Sequence, residues 1–155
     1  MGIEVSERVE SILTDRDFVP TMKESGIDLV KLTVLQLGFR YGLHGISDVR
    51  VMYERIESLG LKLCSPDVGP EIRIQYKNQP ERDGFCIGMK PIWTRKGSTR
   101  SSKSEACHGM VFCIGHDSQN GMWLDGNDTY DGLPDRVWSA HMSHVEHEWV
   151  FIKPK

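Results

Sequence analysis

The chain has 155 residues, 39% apolar and 26% charged, with a formal net charge of 19 − 22 = −3. That is enough chain to bury a core without help from a metal or a disulfide. The composition argues against a disordered chain, a membrane-spanning run and a polycation steered toward nucleic acid. The opening MGIEVSERVESILTD is acidic and lacks the apolar stretch of a secretory signal, which places the expected compartment in the cytoplasm.

Val5, Val9, Ile12 and Leu13 recur at helical spacing and predict a first helix. The polar run Thr14-Asp15-Arg16-Asp17 ends it, and Pro20 favours an extended Val19. Ile27, Val30 and Leu35 predict a second helix from about Ser25 to Phe39, although Thr33 and Val34 are poor helix formers. Ser47 to Leu59 gives the clearest helix. Ser47 is its cap, Val49, Met52, Tyr53, Ile56 and Leu59 form its apolar face, and Gly60 is its stop.

Beyond Gly60 the period becomes two. Glu71 to Tyr76 alternates as a half-buried strand does, and Asp83-Gly84 closes the turn that follows. Phe85 to Trp93 predicts a strand with Pro91 at an edge or bulge, and Cys107 to His116 a central strand. Asn120-Gly121 marks a hairpin into Met122-Trp123-Leu124. Arg136 to Ala140 and Glu148 to Ile152 supply the last strands. The expected fold is α+β: N-terminal helices followed by a mostly antiparallel sheet of five or six strands. The natural cut lies between a helical part at 1–60 and an antiparallel β-domain at 61–155, unless the helices pack onto the sheet as one unit.

Leu37 to Lys155, apart from the 95–105 loop, resembles a group of small uncharacterised bacterial proteins. The residues that carry the resemblance are LGF, YG, ISDVRVMYERIESLGLKLCSPDVGPEIRIQYKNQP, IGMKPI, GMWL and the closing WVFIKPK. The resemblance implies a bacterial, cytosolic domain and assigns no functional residue.

Four cysteines, Cys64, Cys86, Cys107 and Cys113, form no CxxC pair. In a reducing compartment the expectation is four reduced thiols, three of them in apolar runs. His141, His144 and His147 supply imidazoles but not a metal-binding pattern. On a helix the first and last are about 120° from eclipsed, and on a strand His144 points away from the other two. Cys107, His108, Cys113 and His116 would span roughly 20 Å of straight strand. The loop DGNDTYDG, aligned to a calcium loop, places Trp138 where the bidentate carboxylate belongs. GxSxG, GxxxxGK[ST] and deaminase motifs are absent. No catalytic residue, cofactor or metal is assigned.

The most pointed feature is a basic stretch carrying Lys90, Arg95, Lys96, Arg100 and Lys103 with no acid among them, beside Trp93. It is suited to contact phosphates or an acidic protein surface. From Asp117 to Asp135 the balance reverses, with Asp117, Asp125, Asp128, Asp131 and Asp135 and no base. Trp93, Trp123, Trp138 and Trp149 all fall in the second half, where any left outside the core are interface anchors. The expected function is a small cytosolic, non-enzymatic protein-interaction module with an unidentified protein partner and no membrane role. The alternatives are a nucleic-acid-binding accessory protein using the 90–103 loop and a small metal- or thiol-dependent enzyme.

Overall fold

A computed structural model describes residues 3–14, 18, 26–33, 36–38, 49–94, 108–129 and 148–155. Within these the chain runs β1 (Glu4–Val5), α1 (Glu7–Leu13), β2 (Leu29–Thr33), α2 (Val49–Ser58), α3 (Val68–Gln75), β3 (Gly84–Ile87), β4 (Ile92–Thr94), β5 (His108–Asp117), β6 (Gly121–Thr129) and β7 (Glu148–Ile152). The strands form one seven-stranded sheet in the order β1-β6-β5-β3-β7-β2, with β4 paired to β5. The pairs β1·β6 and β3·β7 are parallel, and β2·β7, β3·β5, β4·β5 and β5·β6 are antiparallel.

This corrects the expected fold class. The sheet is mixed rather than mostly antiparallel, and the N-terminal helices are not what opens the chain. A strand comes first, a second strand precedes α2, and α2 and α3 lie mid-chain. The run read as a helix from Ser25 to Phe39 contains β2, because five residues from Leu29 find a full antiparallel partner in β7. Long-range pairing there outweighs a weak local preference. Of the predicted first helix, Val9 and Ile12 are buried, but Val5 belongs to β1 and Leu13 is exposed. The helix at 47–59 is recovered as α2, with Met52 and Ile56 buried. The predicted strand from Phe85 to Trp93 divides into β3 and β4, and the short strand at Met122 extends to Thr129. The proposed strand at 136–140 lies outside the described residues.

The sharpest reversal is at 71–76, read as a strand and found in α3. Asp67 stands at the N-cap and Pro70 falls in the first turn, where no backbone donor is needed. Alternation would bury Ile74 and expose Arg73. The helix does the opposite: Ile74 is 56% exposed and Arg73 only 2%. Arg73 Nη1 donates to Gln79 Oε1 and to the Gly115 carbonyl, and Nη2 donates to the Tyr76 carbonyl at 2.6 Å and approaches Met122 Sδ. Burial pulls the Arg73 pKa down from its ordinary value, and Tyr76 opposes that pull.

The core runs through Phe85, Ile87, Met110, Phe112, Ile114, Trp149 and Phe151, with Val9, Ile12, Met52 and Ile56 from the helices. Helices cover both faces of the sheet. Tyr53 of α2 meets Phe151 edge-to-face at 6.5 Å, while Gly69 of α3 lies against Phe112 on the other face. Gly88 is needed where it stands, because a Cβ there would fall 2.1 Å from a Phe151 ring atom. Lys31, on the outer strand β2, bridges Asp83 at 2.9 Å and Glu148 at 3.0 Å and sits 5.3 Å from the centre of the Phe85 ring. Burial opposes its charge, but the two carboxylates outweigh that and raise its pKa.

Arg73 and Ile74 give a direct check of α3. Arg73→Lys removes the planar fork while leaving its carbonyl acceptors buried, and is expected to cost about 1–3 kcal/mol in urea unfolding. Ile74→Ser, on the exposed face, is expected to stay within about 0.5 kcal/mol. The reverse ranking would mean that the segment is a strand.

Candidate functional site

Position-by-position pairing builds the site on one face of the β5–β6 hairpin. Trp123 lies opposite Gly115, Asp125 opposite Cys113 and Asp117 opposite Gly121. Partners in register share a face, so Asp117, Trp123 and Asp125 project to the same side. β1 then adds its own residues in parallel, Glu4 beside Trp123 and Val5 beside Leu124. The outcome is a cleft of about 250 Å³ lined by Glu4, Ser6, Asp117, Asn120, Trp123, Leu124 and Asp125. Three carboxylates line it, and among the described residues no lysine, arginine or histidine does.

Trp123 is placed by a glycine. A Cβ at position 115 would lie 2.1 Å from the indole, so only glycine lets the ring rest on the neighbouring strand. The indole Nε1 donates to Asp117 Oδ2 at 2.8 Å, which fixes the ring edge and leaves the face away from Gly115 toward the cleft. Asp117 also closes the hairpin turn. Its Oδ1 accepts from the backbone N–H groups of Gln119 at 2.9 Å and Asn120 at 2.7 Å, and its Oδ2 from the Asn120 side chain. The Asn120 N–H is the largest influence on the Asp117 carboxyl. With Gln119 and Trp123 it outweighs the opposing effect of desolvation and holds the pKa below the usual carboxylate range. Asp117 is therefore an anion at neutral pH.

Ser6 occupies the N-cap of α1 but makes no side-chain cap bond. Its hydroxyl instead donates to Asp125 Oδ1 at 2.5 Å, tying β1 to β6. Asp125 Oδ1 accepts from the Gly126 N–H as well. The Ser6 hydroxyl thus commits its proton to a carboxylate, and among the described residues no histidine lines the cleft.

Of the residues picked out from the sequence, Lys90 is exposed immediately before β4. Arg95, Lys96, Arg100 and Lys103 lie outside the described residues, as do His141, His144, His147, Cys107 and Trp138. Trp149 is a core residue at 1% exposure, whereas Trp123 lines the cleft. His116 does not turn toward a metal; its Nδ1 pairs with the Gln79 carbonyl at 2.7 Å. Among the described residues no three of His, Cys, Asp and Glu gather in a metal-holding arrangement.

The expectation of four reduced thiols is also corrected. Cys86 and Cys113 are directly opposed on β3 and β5 and joined by a disulfide, with Cα atoms 4.1 Å apart. The ladder pairs two cysteines 27 residues apart in sequence. The antiparallel pairing of β3 with β5 is what brings them together. Cys64 is a free, buried thiol whose pKa desolvation pushes up to about 12, in keeping with an inert side chain.

The cleft has no signature in the sequence. Asp117 and Asp125 belong there only to an acidic run, and Val5, which separates Glu4 from Ser6, reads as part of a helix. The Asn120-Gly121 turn located the hairpin, but nothing local signals that β1 lies beside it. Among the described residues no helix is long and apolar enough to cross a membrane. Comparison with family models, with curated proteins and with solved structures finds no match.

The Asp117 network predicts a pH dependence with a defined sign. A carboxyl whose folded pKa lies below its unfolded value of about 3.9 stabilises the fold above that pH, and the contribution disappears as pH falls through the folded value. Wild type is expected to be more stable than Asp117→Asn at pH 7, with the gap closing below about pH 4 in parallel thermal unfolding. A gap that is constant with pH would assign the effect to hydrogen-bond geometry alone.

Proposed function

We propose that this protein is a non-enzymatic protein-interaction module and that its cleft takes the cationic side chain of a partner segment. The observation that carries the reading is the surround of Trp123, an indole among the carboxylates of Glu4, Asp117 and Asp125 with no basic residue in the lining among the described residues. An ammonium or guanidinium group over an indole face gains attraction from the ring as well as from the carboxylates. A cavity of about 250 Å³ is close to the size of one long side chain, and is smaller than the roughly 300–1,000 Å³ of most small-molecule sites. Its negative charge disfavours phosphates, so the face built by β1 and β6 gives no support to the nucleic-acid alternative.

The reading is tested with short peptides that differ only in a central Lys, Arg or Glu, titrated at low salt while Trp123 fluorescence and amide shifts are followed. Lys and Arg peptides are expected to perturb Trp123 and Asp125, with Kd on the order of 1 mM for a single anchoring side chain. Asp125→Asn is expected to weaken them about tenfold, a loss of roughly 1.4 kcal/mol. Equal response to the Glu peptide, or no response at any position around the cleft, would overturn the assignment. Binding of a short oligonucleotide in place of the cationic peptides would favour the nucleic-acid alternative.

A further inference from the structure

The Cys86–Cys113 bond belongs neither to the cleft nor to its proposed ligand. We propose that these two residues form a reversible dithiol–disulfide couple that an external thiolate enters at the Cys113 sulfur. Three observations carry this, independently of what the cleft binds.

The first is that the sheet, rather than the bond, holds the sulfurs together. Cys86 and Cys113 are register partners on adjacent antiparallel strands. β3 is paired on its other side with β7, and β5 with β6 along nine consecutive residue pairs. Reduction leaves those ladders in place, so both thiols remain within bonding reach and the bond can re-form. The Cα separation of 4.1 Å matches the close spacing of a non-hydrogen-bonded antiparallel pair, about 4.5 Å.

The second observation is unequal access. Cys86 is 2% exposed, between the Trp149 and Cys113 positions of the neighbouring strands. Cys113 is only half-buried. Disulfides with an exposed sulfur are the labile ones, and access decides which sulfur is attacked. The third is selectivity. Cys64 is buried and its Sγ is held by the Val150 carbonyl, so it is shielded from an external thiol.

The step balances with glutathione as the thiol. A glutathione thiolate attacks Cys113 Sγ, the Cys86–Cys113 bond breaks, and Cys86 leaves with the electron pair and takes a proton from solvent. The product is a mixed disulfide on Cys113. A second glutathione thiolate attacks the glutathione sulfur of that adduct and releases Cys113 as a thiolate, which is protonated. Two glutathiones are oxidised to one glutathione disulfide, and the protein gains two electrons and two protons. The leaving sulfur lies in apolar surroundings, so exchange is expected on a scale of minutes to hours rather than seconds.

The experiment equilibrates native protein with buffers of varied reduced and oxidised glutathione, traps thiols by alkylation and assigns each cysteine by peptide mapping. The reduced-to-oxidised ratio of the Cys86/Cys113 pair is expected to rise tenfold for each tenfold rise in [GSH]²/[GSSG], with transient glutathione found on Cys113 only. In Cys86→Ser, Cys113 is expected to hold a stable glutathione adduct. In Cys113→Ser, Cys86 is expected to resist both glutathione and alkylation until denaturant is added. Circular dichroism verifies that each variant is folded, and the wild-type titration stands without them. The proposal is overturned if the native protein forms no bond at the most oxidising ratio, or if the bond yields to glutathione only after unfolding. It is also overturned if the adduct maps to Cys86.

Discussion

A buried guanidinium sets the layout of the central region. Arg73 is enclosed with no carboxylate beside it among the described residues, so its charge is supported by neutral acceptors alone. Such an arrangement persists only if each acceptor is held at a fixed place, since a buried cation without partners is far more costly than a surface one. The acceptors come from different parts of the chain: the Tyr76 carbonyl at the end of α3, the Gln79 side chain in the turn, and the Gly115 carbonyl on β5. Gln79, itself buried, passes its amide to Asp83, and Asp83 meets Lys31, which reaches Glu148. Polar contacts thus run from α3 across the turn to β2 and β7, on the sheet face that α3 covers.

The opposite face is organised by close approach. Gly88 admits Phe151 and Gly115 admits Trp123, so two large rings lie where any β-carbon would exclude them. β5 separates these two regimes. Its alternate residues Phe112 and Ile114 turn to the core under α3, while Cys113, Gly115 and Asp117 turn to the disulfide and the cleft. A shift of β5 by one residue would exchange the two sets and lose both. That dependence explains why the cleft, the disulfide and the Arg73 acceptor at Gly115 stand or fall together.

Elements whose signals are local were legible in the sequence: α2 from its apolar period, β5 and β7 from their apolar runs, and the hairpin from Asn120-Gly121. Elements whose identity comes from partners were not. β2 reads helical until β7 pairs with it. The alternation of Glu71 to Tyr76 is an accident of composition, because Pro70 and the acceptors around Arg73 decide the conformation. The disulfide was illegible for the same reason, since 27 residues separate its cysteines and only the pairing of β3 with β5 makes them neighbours. In the cleft, the sequence offered Asp117 and Asp125 as anonymous charges. Their role depends on a two-residue parallel strand that no periodicity can reveal.

That strand has a consequence for how the molecule comes into being. Ser6 and Asp125, whose contact seals one wall of the cleft, are separated by 119 positions in the chain. Parallel pairing of such distant segments raises contact order, and β1 can pair only with a β6 that is already formed. During synthesis the early segment emerges first and waits for its partner while most of the chain is made. A partly folded chain that lacks β6 therefore has no cleft, because Trp123, Leu124 and Asp125 of its lining all come from that strand.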